Sequence, residues 1–277
     1  MAKPSTYYRP KTLAEAVQLA AQPDAITLAG GALTLRGLSL PYDTVIDVQD
    51  VPELRLNDQS AGGATFGSAL PLQMLLDWRS LPSVLRCALT RAIPLNLRDN
   101  ISVGETLRCW QTPILREWIT GLLAYDAGIE YVNANSERVW DSMIGFMERG
   151  QLDQHFITAI NLPALSDGQG FAAAYVARTS ADTPIVNAAA LVYIDADHRV
   201  ESEFIFIGGA SLQPITQVRL STLITNPLDE ANIASAVKAV APQVDPVGDT
   251  LGSAEYRREM ARVVVQRALL ECLEQLA

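Results

Sequence analysis

The sequence predicts an α+β chain in three parts. A small α/β unit spans residues 1–57, a larger mixed α/β unit spans 58–165, and 166–277 form a three-stranded antiparallel sheet with helices. Three observations predict it. A capped helix, a strand, a Gly-Gly break and a second strand follow one another within the first 57 residues. Strand-like and helix-like stretches are then mixed up to Pro163. Last come three apolar strand-like runs ahead of two helical ones, an order that argues for α+β rather than alternating βαβ units.

Each element has a local cause. Thr12 and Glu15 form a capping box, and Leu13, Ala16, Val17 and Ala20 recur at helical spacing, so a helix runs to near Pro23. Ala25–Leu28 and Thr44–Val48 read as strands. From Ser60 a strand passes through a glycine bend into a helix over Pro71–Trp78, and Ser83–Ala92 is a further helix closed by Pro94. The stretch LNLRDNISVGETL is polar and aperiodic, which predicts a loop. Residues 113–124 read as a helix, Gly128–Val132 and Phe156–Leu162 as strands, Glu137–Glu148 as a helix between them, and Pro163–Gly170 as a turn-rich linker.

In the last third, FAAAYVARTS, VNAAALVYID and RVESEFIFIGG read as strands, the last two joined as a hairpin near Asp195-Ala-Asp197. Helices follow over Asp229–Val240 and Ala254–Leu276. Ser253 is positioned to cap the second, whose predicted inner face carries Tyr256, Met260, Val263, Leu270 and Leu273. Arg257 and Arg258 read as helix-surface or interface charges.

Composition narrows the function. Hydrophobic residues make up 49% and charged residues 19% of the 277, an ordinary globular balance, while the net charge of −10 and only three lysines argue against nucleic acid or an anionic membrane as partner. Cys87, Cys109 and Cys272 are scattered and His155 and His198 isolated, so no metal-ligand set or disulfide framework is legible. With no apolar leader and no apolar run near 18 residues, a cytoplasmic protein without a membrane span is expected. There is no Ser-His-Asp, Cys-His or paired-carboxylate arrangement and no G-x-G-x-x-G, so the chain carries no visible acid–base or nucleophilic machinery.

What remains is AITLAGGALTL, residues 25–35. A strand broken at Gly30-Gly31 turns bare backbone N–H groups outward, which suits a phosphate or diphosphate; the same pattern also makes an ordinary tight turn.

The ordered series YYRP, LAGGALTL, VIDV, ATFGSALPL, LRDNISVGETL, LLAYDAGIEYV and EYRREMARVVVQRAL resembles the FAD-binding domain of molybdenum hydroxylases, the medium, flavoprotein subunit of xanthine and carbon monoxide dehydrogenase-type enzymes. The resemblance runs from about Tyr7 to the last helix. It implies a two-part FAD-binding domain followed by the C-terminal unit. By resemblance, the first loop's Ala29, Gly30, Gly31, Ala32, Leu33 and Thr34 wrap the FAD diphosphate with backbone donors. The second loop contributes Ser102, Gly104 and Thr106, and the backbone near Phe156 and Ile157 borders the flavin ring.

Several positions depart from the family pattern. Ala32-Leu33 stand where Thr-Asp is usual, Glu105 where a second glycine is usual, Arg116 within a segment that is usually Ser-x-x-Ser-Asp-like, and Val176 where a lysine is frequent. If position 105 requires positive φ, a side chain there costs roughly 1–2 kcal/mol. A carboxylate about 5 Å from a phosphate adds up to about 3 kcal/mol at an effective dielectric of 20. Glu105 and Arg116 also read simply as solvated charges.

The resemblance implies FAD as cofactor, a large molybdopterin-binding and a small iron–sulfur subunit as partners, and electron flow from molybdenum through iron–sulfur clusters and FAD to NAD⁺, O₂ or another acceptor. Two alternatives stand beside it: a degenerate member that keeps the fold as a structural or assembly subunit without FAD, and an unrelated nucleotide-binding α+β protein.

Overall fold

The computed structural model describes residues 4–34, 42–133, 135–149 and 155–277. Leu35, the end of the predicted second apolar run, lies outside them. Among the described residues the strands are β1 (Thr6–Tyr8), β2 (Ala25–Leu28), β3 (Thr44–Asp47), β4 (Asn57–Ser60), β5 (Gly63–Gly67), β6 (Gly128–Val132), β7 (Arg138–Ser142), β8 (Phe156–Pro163), β9 (Gln169–Val176), β10 (Val186–Ile194), β11 (Val200–Gly208) and β12 (Ile215–Val218). The helices are α1 (Leu13–Ala20), α2 (Leu72–Leu76), α3 (Ser83–Ala92), α4 (Val103–Arg108), α5 (Arg116–Ala124), α6 (Met143–Glu148), α7 (Glu230–Ala236) and α8 (Ala254–Leu276).

The chain forms two compact units. The first comprises residues 1–81, 93–110 and 127–164, and the second 82–92, 111–126 and 165–277. In the first, β1, β3 and β2 make a small parallel sheet in that order, with α1 against β2 and β3. Thr12 caps α1 by accepting from the Glu15 N–H, as the capping box predicts. Ala16, Ile46, Val48, Val51 and Leu54 form a local core. A five-stranded antiparallel sheet, β4-β5-β8-β6-β7, completes this unit.

Two expectations change here. The second half of the predicted loop is helical: Ser102 caps α4 by accepting from the Glu105 N–H at 3.2 Å. Ser102-x-x-Glu105 is the same kind of capping signature as Thr12-x-x-Glu15 before α1, but here it precedes no apolar periodicity. The predicted helix over 137–148 is strand β7 and then α6. Chain reversal at Asn133–Glu137 pairs Arg138–Ser142 with β6, and Ser142 caps the remaining helical turn. Its alternating exposure is that of an edge strand.

In the second unit β12-β11-β10-β9 form one antiparallel sheet. The three predicted strands are there, joined by a fourth, β12, four residues long and set off by Pro214, too short to stand out in the sequence. Val186, Ala188, Ala190 and Val192 of β10 belong to the core beneath α7 and α8. Ala189 and Leu191 are buried as well, and α5 packs on β10 and β11. Burial on both faces explains why VNAAALVYI is continuously apolar instead of alternating.

α8 begins at Ala254 behind the Ser253 cap, as predicted; its fully buried stripe is Arg257, Ala261, Val264, Val265, Ala268, Leu269 and Cys272, with the predicted Met260, Leu270 and Leu273 packed partly buried beside it and Tyr256 exposed. The predicted stripe is offset from the buried one because Arg257 looks like a surface residue. It is 5% exposed, and its Nη1 donates to the Ile185 and Gly209 carbonyls, both at 2.8 Å, and its Nη2 to Asp249 at 2.7 Å. The second predicted helix, 229–240, is Asp229-capped α7 followed by 3₁₀ turns.

Candidate functional site

A cleft of about 1060 Å³ opens within the first unit, at the top of the range usual for small-molecule sites. Its walls come from α1, the loop after β2, the start of α4, the β6–β7 turn and the start of β8. The first loop enters it through backbone that glycine permits: Gly30 has φ +95°, and a Cβ there would come within 2.4 Å of the Asn100 carbonyl oxygen. Close approach of the two loops is sealed by a hydrogen bond from the Ala32 N–H to that same oxygen, at 3.2 Å.

The second loop is laced to the segment after β5. Val103 N–H donates to the Leu70 carbonyl, Gly104 N–H to that of Ser68 at 2.7 Å, and a Cβ on Gly104 would meet Ser68 at 2.8–2.9 Å. These bonds fix the start of α4 and the direction in which Glu105 leaves it. Its carboxylate reaches the first loop, where Oε1 accepts from the Leu33 N–H at 3.0 Å and the Thr34 N–H at 2.8 Å. Glu105 is 6% exposed, and its Oε2 is buried with no hydrogen-bond partner. Burial is the main cause holding its carboxyl above the usual range, opposed by bonds from Thr34, Leu33 and Ser102. It is therefore not a solvated loop charge. Its backbone is helical, so the expected positive-φ strain does not arise.

Of the residues assigned by resemblance, Ala29, Thr34, Ser102, Gly104 and Ile157 line the cleft together. Gly30, Gly31, Ala32 and Leu33 form the loop behind Thr34. Thr106 is fully buried and spends its hydroxyl on the Val103 carbonyl, at 2.7 Å. Sequence reasoning missed the polar wall opposite: Arg108, Asn133, Arg138 and His155 also line the cleft. Arg138 is braced by buried Glu130 at 2.7 Å, which also accepts from Thr158 at 2.5 Å. No motif marks these residues, and the β6–β7 reversal that brings in Asn133 and Arg138 runs into a stretch read as helix.

Arg116 and Val176 belong to the second unit. Arg116 packs its stem over Gly208, its Nε is buried and unpartnered, and burial and Arg257 depress its pKa, so it too is not a solvated charge.

Residues 3–165 match the family model of the FAD binding domain in molybdopterin dehydrogenase, and 171–272 that of the CO dehydrogenase flavoprotein C-terminal domain. The chain belongs to this family of molybdopterin-dehydrogenase flavoproteins. Among curated relatives of the family, the 6-hydroxypseudooxynicotine dehydrogenase complex subunit alpha of Paenarthrobacter nicotinovorans is 27% identical over 90% of this chain and 87% of its own. From the same organism, the nicotine 6-hydroxylase medium subunit is 24% identical over 96% of each. The fold is shared with quinoline 2-oxidoreductase from Pseudomonas putida 86 (TM-score 0.80, 22% identity, 98% and 97% coverage) and with carbon monoxide dehydrogenase from Hydrogenophaga pseudoflava (0.81, 19%, 100% of both). Among the described residues no helix is long and apolar enough to cross a membrane, and no cluster of His, Cys, Asp or Glu could hold a metal ion.

FAD is the cofactor that membership of a molybdopterin-dehydrogenase flavoprotein family supports, and the residues fit it in kind. The cleft has the volume, and the Leu33 and Thr34 donors converge on one anionic oxygen, that of Glu105, a geometry that suits a phosphate oxygen as well.

Proposed function

We propose that this chain is the FAD-carrying medium subunit of a molybdenum-containing oxidoreductase. In this reading a large partner holds the molybdopterin, a small partner supplies iron–sulfur clusters, and electrons leave through this chain to NAD⁺, O₂ or another acceptor. The observation that carries it is the anion seat at Leu33 and Thr34 opening on a dinucleotide-sized cleft, in a chain of this family. Bound FAD would supply one- and two-electron redox chemistry. The chain's own work is to hold it: Ala29, Gly30, Gly31, Ala32, Leu33 and Thr34 at the diphosphate, Ser102 and Gly104 across the second loop with Thr106 buried behind them, and Ile157 beside the ring. The side chains offer no acid–base step and act only by positioning and by excluding water.

A second reading, a structural or assembly subunit without flavin, is favoured by one observation: Glu105 already fills the seat. The absorbance spectrum of the purified protein separates the two. Acid-released FAD near one per chain supports the first, and a colourless protein that stays so with excess FAD supports the second. Co-purification of large and small partner chains tests the complex itself, and a lone monomer would count against both readings.

A further inference from the structure

We propose that Glu105 is a built-in occupant of the diphosphate seat, so that a phosphorylated cofactor binds by displacing its carboxylate. The inference rests on the flavin reading above and adds what governs loading of the same site. Backbone donors that converge on a single oxygen suit a phosphate and a carboxylate alike. Leu33 and Thr34 both spend their N–H groups on Glu105 Oε1, which leaves neither donor for a ligand while that side chain stays.

The backbone cannot relieve the conflict. Gly30 is pressed against Asn100, Gly104 against Ser68, and the Ser102 cap fixes the first turn of α4, so both loops are held at the separation the carboxylate spans. The side chain can. Glu105 lines the cleft, and its Oε2 is buried without a partner. Leaving therefore breaks two hydrogen bonds but also releases an under-solvated oxygen to water, a partial compensation.

The test is FAD titration of the full-length protein and its Glu105→Ala and Glu105→Gln variants, followed by flavin fluorescence, with riboflavin, which lacks the diphosphate, as a parallel probe. Displacement predicts that Glu105→Ala binds FAD about tenfold or more tightly than the parent, with Glu105→Gln between, and that riboflavin binding does not change. Amide NMR signals of Leu33 and Thr34 should shift in Glu105→Ala and shift again with FAD. Equal FAD affinity in all three proteins overturns the displacement and leaves the flavin reading intact. FAD binding by none of them overturns that reading and the displacement with it. Riboflavin affinity rising in step with FAD assigns Glu105 a general effect on the cleft and also overturns it.

Discussion

Each unit buries a charged side chain on backbone groups, and the two differ in where those groups lie. In the second unit Arg257 ties the Ile185 and Gly209 carbonyls and Asp249 together, bridging the entry to β10, the exit from β11 and the loop before α8. Asp249 Oδ1 also accepts from the Leu251 and Gly252 N–H groups, and the Arg257 Nε is itself buried without a partner. In the first unit Glu105 satisfies two N–H groups at the edge of an open cleft and keeps one oxygen orphaned. The first arrangement is scaffolding. The second borders open space, and the difference is one of setting: Glu105 and Thr34 line the cleft, whereas Arg257 closes on main-chain carbonyls at the ends of β10 and β11.

The largest expected effect tests the scaffold. Arg257→Met keeps much of the stem but strands two interior carbonyls, and should lower unfolding free energy by about 3–4 kcal/mol in a urea melt. Asp249, held below the usual carboxylate range chiefly by its bond to Arg257, should return toward it. A loss under about 1 kcal/mol would mean that water reaches those carbonyls and that the two sites are alike.

Next is the contact that sets the spacing of the seat. Gly30→Ala places a Cβ 2.4 Å from the Asn100 oxygen at φ +95°, so the loops must part or the backbone must change. A loss of about 2 kcal/mol is expected, together with weaker FAD binding. Unchanged stability would show that the loops yield easily, and the rigidity that makes Glu105 the movable part would be lost.

These contrasts also mark what was legible in the sequence. Ala254–Leu276, Ser83–Ala92 and the β2–β3 unit were readable because caps, prolines and periodicity coincide there. The Gly-Gly loop was readable as a candidate seat from its chemistry alone. The occupant was not, since a Glu replacing a glycine reads as solvated until the fold brings residue 105 to residues 33 and 34, some seventy positions away. Arg257 failed for the same reason: its partners at 185, 209 and 249 are distant in the chain, and a long-range contact leaves no local signature. The Arg138 wall was lost with β7, whose pairing depends on a turn rather than on its own pattern.

A third acidic or basic side chain, half-buried, grades the comparison. Glu203 on β11 accepts from the Leu220 N–H at 2.8 Å through Oε1, while Oε2 has no partner. Burial pushes its carboxyl up from 4.5 to about 7. Because the folded pKa lies above the unfolded one, the protonated form favours folding, and stability should fall as pH rises through roughly 4.5 to 7. Full conversion is about 3 kcal/mol, which partial solvent access reduces to about 1–2. Glu203→Gln should remove that slope and be more stable than the parent above pH 7; a slope kept in the variant would assign it to other groups.

The smallest expected effect falls on Glu105 itself. Glu105→Gln keeps an acceptor for Leu33 and Thr34 and removes a charge whose burial is only partly offset, so its melt should lie within about 1 kcal/mol of the parent. The sign changes predictably with acidity. Below the carboxylate range the parent carries a neutral side chain too and the two proteins should coincide; as pH rises through the raised Glu105 titration, the parent alone takes on the buried charge and the variant should gain on it. Cys109 and Arg108 lie on or beside the same helical turn, and the Glu105 charge helps to raise the Cys109 thiol, so the two melts are compared below the thiol range, where Glu105 is the group that differs. A loss of more than about 2 kcal/mol would place Glu105 beside Arg257 as scaffolding. A near-zero cost joined to tighter FAD binding would leave a side chain that contributes little to the fold and much to whether the seat is free.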